Sequence, residues 1–202
     1  MHMGFDRMPL SKNKNLGFWK LLGTGKGETF TPKDASSQRW GLLVTITESE
    51  LADFENSKIV KRWDYKSINR YRVLLQNISV QGEWSGKKPF TPDVPDSNWN
   101  GKVVAITRAR IKWFKNPLFW RSVPPVTISL KAATGLISAI GIGEAPIGLQ
   151  GTFSIWESSA AIRAFAYQGE AHKAAIAATA REKWYAEELF ARFAVISESG
   201  SL

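Results

Sequence analysis

The chain has 202 residues, 44% of them apolar, which suits one large domain or two small ones that share a core. It carries 27 Lys and Arg against 18 Asp and Glu, and this net charge of +9 favours anionic partners although the basic residues are scattered. Cysteine is absent, which excludes disulfides, cysteine-ligated metal cofactors and cysteine nucleophiles.

Targeting signals are not apparent in the sequence. Residues 1–15 contain no apolar stretch typical of a signal peptide. The longest uncharged apolar run, Ala132 to Gly143, is shorter than the roughly 20 residues that a membrane-spanning helix needs. We therefore expect a cytoplasmic protein that can also contact the inner membrane peripherally.

The first half of the chain is predicted to contain three strands and one helix after the end of an earlier helix. The alternation of apolar residues and the turn residues between them give the bounds. The predicted elements are the helix end at Met1–Leu10, the strands Leu16–Leu22, Trp40–Thr47 and Tyr71–Val80, and a helix at about Ser49–Asn56. Lys58–Tyr65 is a basic and aromatic segment without a clear assignment.

A linker rich in Pro, Gly, Asp and Asn is predicted at residues 85–101. It divides the chain into an N-terminal half at residues 1–84 and a C-terminal half at residues 102–202, and the two halves are expected to share one core. The strand Lys102–Phe114 opens the second half, with Arg108 and Arg110 on the face opposite to its small and apolar residues.

The remaining elements of the second half are four helical segments and three strands. Pro and Ser are favoured at helix starts, which places two of the helix beginnings. The segments are a short helix or turn at Pro117–Arg121, a helix at Val126–Ala133 after Pro124-Pro125, strands at Leu136–Ile142 and Gln150–Trp156, a helix from Glu157-Ser158-Ser159 that Gly169 interrupts, a second helix from Glu170, a turn at Lys183–Glu188 and a last strand at Leu189–Ile196.

An internal repeat links the two halves. Gly17–Gly25 and Gly135–Gly143 both end in Gly-x-Gly, and each is followed by a loop, a strand, Glu-Ser, a helix and a closing strand. The C-terminal half has the β-α-β-β-α-β order, and the N-terminal half has the same order without its first strand. The sequence thus predicts an α+β fold in which duplicated ferredoxin-like (split βαβ) halves form a dimeric-α/β-barrel-like core within one chain, with the first N-terminal strand missing.

His172 is the one histidine outside the first few residues, so any imidazole chemistry in the body of the chain depends on it. It lies in an Ala-rich helical segment whose small side chains would let a flat ligand approach closely. The residue pattern leaves two interpretations open. In the first, His172 contacts such a ligand. In the second, which is the more common case for a lone histidine, His172 is a surface residue of an ordinary helix, since Ala is the best helix former.

The chain resembles the spheroidene monooxygenase family of carotenoid-modifying enzymes over nearly its whole length. The matching segments are Phe18-Trp-Lys-Leu-Leu-Gly-Thr-Gly-Lys-Gly27, Phe30-Thr-Pro32, Ile140-Gly-Ile-Gly-Glu-Ala-Pro146, Gly151-Thr-Phe-Ser-Ile-Trp156, Ala164-Phe-Ala-Tyr167, Ala171-His172-Lys173 and Trp184–Phe193. The resemblance implies a haem-dependent oxygenase that introduces a hydroxyl or keto oxygen into an acyclic carotenoid, using O₂ and an external electron donor such as a ferredoxin.

A looser likeness concerns the pattern Trp156-Glu-Ser followed by Ala171-His172-Lys173, which is similar to that of small ferredoxin-like haem-degrading monooxygenases. In those proteins the matching histidine is the proximal iron ligand. This likeness implies that His172 binds the haem iron. One axial histidine would leave the sixth iron position open, which suits O₂ activation.

The implied site has two further sets of residues. Cations near His172 in sequence are candidates for the haem propionates, namely Lys173, Arg163 and Arg181. Large aromatic side chains are candidates for the wall of the substrate pocket, namely Trp156, Phe165, Tyr167 and Trp184. The resemblance also implies an apolar carotenoid partner, and the chain is compatible with a monomer or a dimer.

A different class of function remains as the alternative. A basic, Trp-rich ferredoxin-like barrel without haem would act as a binding or structural module, including one that stacks single-stranded nucleic acid on its aromatic residues. The chain has no RNP-type strand of alternating Gly and Phe, so nucleic acid is not the favoured partner.

Overall fold

The structure, a computed structural model, describes residues 3–26, 34–96, 99–145, 149–168, 179 and 181–202. Seven strands form a single sheet. They are β1 (Leu16–Gly25), β2 (Ala35–Ile46), β3 (Tyr71–Gly82), β4 (Val103–Ile111), β5 (Leu136–Gly143), β6 (Leu149–Trp156) and β7 (Tyr185–Gly200). The helices are α1 (Arg7–Lys12), α2 (Glu48–Glu55), α3 (Lys58–Lys66), α4 (Asn116–Lys131) and α5 (Ser159–Gln168), with 3₁₀ turns at Met3–Asp6 and Trp113–Lys115.

The sheet has the order β2-β1-β5-β6-β4-β7-β3, and every neighbouring pair is antiparallel. The predicted α+β class is therefore confirmed. Within the C-terminal half the elements follow the predicted β-α-β-β-α-β order as β4, α4, β5, β6, α5 and β7.

Strands of the N-terminal half flank those of the C-terminal half on both sides. On one side β3 pairs with β7 along its whole length, from Tyr71 opposite Gly200 to Gly82 opposite Leu189. On the other side β1 meets β5 at only two residue pairs, Gly23 with Gly143 and Thr24 with Ile142. One continuous sheet thus contains strands from both halves, and its β1–β5 junction is short.

The sheet curls around an inner apolar core. Three strands separate β1 from β7 in the sheet order, yet Phe18 of β1 and Phe193 of β7 belong to the same buried cluster. Phe90, from the irregular segment after β3, lies between them, with ring centroids 6.3 Å from Phe18 and 4.9 Å from Phe193. Strand twist of this kind lets the concave face of a sheet close on its own side chains.

The helices cover the outer face of the sheet in two groups. The first three pack on β1 and β2 through a cluster that includes Leu10, Phe54 and Ile59. The last two pack on β4, β5 and β6 through Leu130 of α4 and Ile162 of α5. No helix among the described residues is both long and apolar enough to cross a bilayer.

The two helical segments predicted on either side of Pro124-Pro125 are one continuous helix, α4, so that prediction is wrong. A proline inside a helix removes a backbone hydrogen bond and crowds the preceding turn. The helix continues because it is held on both sides of the pair. Phe119 packs edge-on against Trp184, with ring centroids 5.7 Å apart, and Leu130 is buried against the sheet.

The structure corrects one further prediction and assigns one segment that the sequence left open. The last strand begins at Tyr185, inside the segment predicted as a turn, because the chain reverses earlier, at Lys183, which has a positive φ of 47°. The segment left unassigned after Ser57 is helix α3, whose first turn is capped by the Ser57 hydroxyl accepting from the Val60 N–H at 3.3 Å.

Candidate functional site

A groove of about 270 Å³ lies between α5 and the outer faces of β7 and β3. Helix α5 begins where predicted, because the Ser158 hydroxyl accepts a hydrogen bond from the Ala161 N–H at 3.2 Å. The floor comes from the strands and one wall from the helix. The lining residues are Ser79, Val80, Gln81, Ile162, Arg163, Ala166, Tyr167, Phe190 and Arg192.

Two arginines at the groove are fixed by one carboxylate. Arg163 of α5 donates to Oδ2 of Asp96 at 2.7 Å, and Arg192 of β7 donates to the same oxygen at 3.1 Å. Ser159 donates to the other oxygen, Oδ1, at 2.7 Å, and the Arg192 Nε–H donates to the Ser79 hydroxyl at 3.0 Å. The predicted linker therefore reaches the groove through Asp96 and ties α5 to the sheet.

The charge on this carboxylate is stabilised by its donors. Partial burial by itself would raise the pKa of Asp96, but the hydrogen bond from Ser159 and the charges of Arg192 and Arg163 outweigh burial and lower it. Asp96 is therefore ionised at neutral pH, and it balances one of the two guanidinium charges. The groove keeps an excess of positive charge.

Aromatic side chains border the same groove. Tyr167 is 75% exposed on α5, and Phe190 is 38% exposed on β7. Large aromatic residues with accessible faces are costly to leave in water and commonly mark a binding surface. The groove thus combines apolar ring faces with two guanidinium groups.

The predicted site residues fall into three sets. Arg163 and Tyr167 line the groove. His172 and Lys173 lie outside the described residues, and their roles stay predictions; helix α5 ends at Gln168, four residues earlier in the sequence. Arg181 lies on the surface beside Glu182, its Nε 3.0 Å from the carboxylate.

The other predicted pocket aromatics pack within the protein. Trp156 of β6 and Phe165 of α5 pack with tilted rings at a centroid distance of 5.3 Å beneath the helix, and Trp156 is almost completely buried. Trp184 is also buried, and its indole N–H donates to Thr179 at 3.1 Å. These three residues support α5 and the start of β7 from below.

Arg192 and Ser79 were missed by the sequence analysis. Arg192 lies in the predicted last strand. An arginine within an apolar run is unusual, and this feature could have identified it as a site residue. Ser79 has no such signal, since only the pairing of β3 with β7 brings it to the groove.

A second polar cluster lies inside the curled sheet. Arg108 of β4 is 4% exposed and forms ion pairs with Glu187 of β7 and, at 2.9 Å, with Glu144 after β5. Glu144 also accepts from Lys20 at 2.5 Å and from the Trp84 indole N–H at 2.7 Å. The face of β4 that was predicted to carry Arg108 and Arg110 thus points, at Arg108, into the core.

The carboxylates of this cluster are held ionised. Burial would raise the pKa of Glu144, but the hydrogen bonds from Lys20 and Trp84 and the charges of Lys20 and Arg108 lower it. The backbone N–H groups of Ser85 and Gly86 donate to Glu187 at 2.9 and 2.7 Å and lower its pKa against the effect of burial. A cavity of about 350 Å³ opens beside Lys20 and Glu144.

A metal site made only from the protein's own ligands is not seen in the described ranges, where no three His, Asp or Glu side chains gather. The inner cluster pairs each carboxylate with a cation, which suits structural support. The outer groove has accessible aromatic faces and excess positive charge, which suits a flat anionic ligand. We therefore take the groove as the candidate functional site.

Comparison with known proteins identifies relatives over almost the full chain. The spheroidene monooxygenase of Rhodobacter capsulatus is 38% identical over 202 residues, covering 98% of this chain and 83% of the relative. That of Rubrivivax gelatinosus is 35% identical, covering 98% and 77%. That of Cereibacter sphaeroides is 36% identical, and the match spans 98% of this chain but 60% of that longer protein.

Solved structures give weaker likenesses. A structure from Fusobacterium nucleatum aligns with a TM-score of 0.48 at 9% identity, covering 95% of this chain and 81% of that one. The haem-degrading enzyme of Listeria monocytogenes aligns with a TM-score of 0.35 at 13% identity, covering 94% and 92%. No family model matches the chain. On the strength of its sequence relatives, the chain belongs to the spheroidene monooxygenase family.

Proposed function

We propose that this protein is a haem-dependent monooxygenase that introduces oxygen into an acyclic carotenoid. The observation that carries this proposal is the 38% identity to a spheroidene monooxygenase over 98% of the chain. One atom of O₂ enters a C–H bond of the carotenoid and the other leaves as water, with two electrons from an external donor such as a ferredoxin and two protons from solvent. A second round at the same carbon gives a keto group.

The residues at the groove fit haem in their chemistry. Haem is a flat apolar ring with two carboxylates on one edge. Arg163 and Arg192 lie side by side, and Tyr167 and Phe190 present ring faces beside them. Planar guanidinium groups bind carboxylates through paired hydrogen bonds, and aromatic faces pack well against a flat ring.

Each residue then has a distinct role. His172 would hold the iron, as the sequence resemblance implies, and bound haem would supply the chemistry that activates O₂. Arg163 and Arg192 would bind and orient the propionates, and Asp96 holds both guanidinium groups in position. Tyr167 and Phe190 would pack against the ring and exclude water from it. Lys173 and Arg181 remain candidates for a further propionate contact.

We also propose that the two halves are structural repeats, with β1, β2 and β3 equivalent to β5, β6 and β7. In the C-terminal half β4 lies between β6 and β7. The equivalent place in the N-terminal half lies between β2 and β3, and these are the two outer edges of the described sheet. A strand at that place would close the curled sheet into a barrel and remove both free edges.

Product analysis tests the function. The haemin-loaded protein is incubated with an acyclic carotenoid, isotopically heavy O₂ and a reduced ferredoxin with its reductase, and the pigments are separated and analysed by mass spectrometry. We expect a product that carries the heavy oxygen. A product with oxygen from water, or unchanged carotenoid with fully loaded protein, would contradict the proposal.

Matched variants connect the activity to the groove. Arg163→Ala removes a half-exposed arginine that is paired with Asp96, and Arg70→Ala removes a half-exposed arginine that is paired with Asp64 and precedes the end of β3 opposite to the groove. At limiting haemin, Arg163→Ala is expected to lower product formation at least tenfold, while Arg70→Ala leaves it unchanged. Equal rates in the two variants would remove Arg163 from the site.

A further inference from the structure

The segment from the 3₁₀ turn Trp113–Lys115 into α4 exposes large apolar side chains next to one another in sequence. Trp113 is 84% exposed and Phe114 is 68% exposed. Further along the helix Ile128 is 69% exposed and Leu118 is 37% exposed. A cluster of exposed large apolar residues on a soluble fold commonly marks an interaction surface.

Helical spacing places three exposed apolar residues of α4 on one face. Leu118, Arg121, Pro125 and Ile128 follow one another at intervals of three or four residues, and all four are exposed. The opposite face is used for folding, since Leu130 packs on the sheet. We call the exposed set Trp113, Phe114, Leu118, Pro125 and Ile128 the α4 apolar surface.

The charged residues near this surface in sequence are all basic. Residues 97–143 contain seven Lys or Arg and no Asp or Glu. Lys112 precedes Trp113 directly, and Arg121 lies on the apolar face itself. Of the basic residues that lie beside this surface in sequence, Lys115 is paired with Glu182 at 3.6 Å. The α4 apolar surface is therefore bordered by cations.

We propose that the α4 apolar surface docks on an anionic lipid bilayer. Trp and Phe favour the boundary between headgroups and acyl chains, and neighbouring Lys and Arg bind anionic headgroups. A predominantly cationic border complements a uniformly negative membrane better than a second copy of this chain, because two copies would bring their cations together. The proposal rests on this surface alone and is independent of the catalytic assignment.

Vesicle co-sedimentation tests the docking surface. The full chain is mixed with vesicles of phosphatidylcholine alone or with about one third phosphatidylglycerol, and the bound fraction is measured at low and high salt. The wild type is expected to bind the anionic vesicles at least tenfold more tightly than the neutral ones, and salt should weaken this binding. The double variant Trp113→Ser/Phe114→Ser should lose at least tenfold in binding to anionic vesicles.

A matched control changes apolar residues that are just as exposed elsewhere. Tyr65 and Ile68, at the end of α3, are 90% and 99% exposed. Tyr65→Ser/Ile68→Ser should bind vesicles like the wild type, and circular dichroism checks that both double variants are folded. A second variant, Lys112→Gln/Arg121→Gln, should weaken binding to anionic vesicles only.

Three outcomes would overturn the proposal. The first is equal binding by the Trp113→Ser/Phe114→Ser variant and the wild type. The second is equal binding of the wild type to neutral and anionic vesicles. The third is a dimer, seen by light scattering, that the Trp113→Ser/Phe114→Ser change converts to a monomer without changing vesicle binding, since this would make the surface an interface between copies.

Discussion

Arg163 on helix α5 and Arg192 on strand β7 donate hydrogen bonds to the same oxygen of Asp96, at 2.7 and 3.1 Å. Asp96 belongs to the irregular segment before β4, so three separate parts of the chain meet at this atom. The arrangement holds two cations side by side, which repel each other without the shared carboxylate. It also fixes the distance between α5 and the sheet at the candidate site.

Asp96→Asn is expected to loosen the groove without unfolding the protein. The amide keeps a hydrogen-bond acceptor but loses the negative charge that both arginines contact, so the free energy of unfolding should fall by about 1–2 kcal/mol. Urea unfolding followed by circular dichroism measures the change. Ser159→Ala removes only the neutral donor and serves as the milder comparison; a loss as large as that of Asp96→Asn would place the stabilisation in the Ser159 bond.

The pH dependence of stability follows from the direction of the pKa shifts. The pKa values of Asp96, Glu144 and Glu187 are lower in the folded protein than their ordinary values, 3.8 for Asp and 4.5 for Glu. Their stabilising contribution is therefore complete above these ordinary values and is lost as the pH falls through the lower folded values. The free energy of unfolding should decrease steadily below about pH 4.

Glu144→Gln provides the check on that trend. Because the amide does not titrate, the variant should be less stable than the wild type at neutral pH and the difference should shrink in acid. Chemical unfolding at several pH values measures both curves. A difference that stays constant from neutral to acid pH would show that the Glu144 charge makes no contribution.

Arg108→Met is expected to destabilise the inner core strongly. The side chain is almost completely buried and balances Glu144 and Glu187, so its removal leaves two carboxylates short of a partner in the interior. Removing one member of a buried ion pair typically costs about 3–5 kcal/mol. Arg110→Met on the same strand is the matched control, because Arg110 is half-exposed and 3.9 Å from Glu187, and it should cost less than about 1 kcal/mol.

Equal costs for the two arginine variants would mean that burial adds nothing to the Arg108 ion pairs. A partial recovery of stability in Arg108→Met/Glu187→Gln would instead attribute the loss to the uncompensated carboxylate. Urea unfolding of all three variants, compared at their midpoints and slopes, distinguishes these cases.

Gly151→Ala tests the close approach of β6 to β4. A Cβ at this position would lie well under 3.0 Å from the Thr107 carbonyl oxygen and 3.2 Å from the Arg108 Cα. Both atoms belong to the backbone, so the strands would have to separate, at a cost of about 1–3 kcal/mol. Gly41→Ala in β2 meets its first neighbour at 3.5 Å and should be nearly neutral in thermal unfolding. Equal melting temperatures of the two variants would mean that β4 and β6 are farther apart at Gly151 than in this structure.

The sequence predicted correctly those elements that have a helix cap or a clear alternation of apolar residues. The Ser158 cap gave the start of α5, and alternating apolar residues gave β4 in the right place. Pro124-Pro125 predicted a helix start that does not occur. A proline pair is a strong local signal for a helix start, and the contacts of Phe119 and Leu130 that override it are tertiary.

The candidate site was only partly predictable for the same reason. Arg163 and Tyr167 were predicted as site residues because they lie close to His172 in the sequence. Arg192 and Asp96 reach the groove through strand pairing and a long irregular segment, and no local pattern carries that information. Arg108 looked like a surface residue of an alternating strand because its partners, such as Glu187, are distant in sequence.

A titration of the purified protein with haemin, followed by absorption spectroscopy, tests the assignment of the groove most directly. The wild type is expected to develop a Soret band that shifts with carbon monoxide, His172→Ala to lose that band, and Arg192→Ala to bind haemin at least tenfold more weakly, while Arg70→Ala matches the wild type. A wild type without a Soret band, or equal haemin affinity in Arg192→Ala and Arg70→Ala, would contradict the assignment.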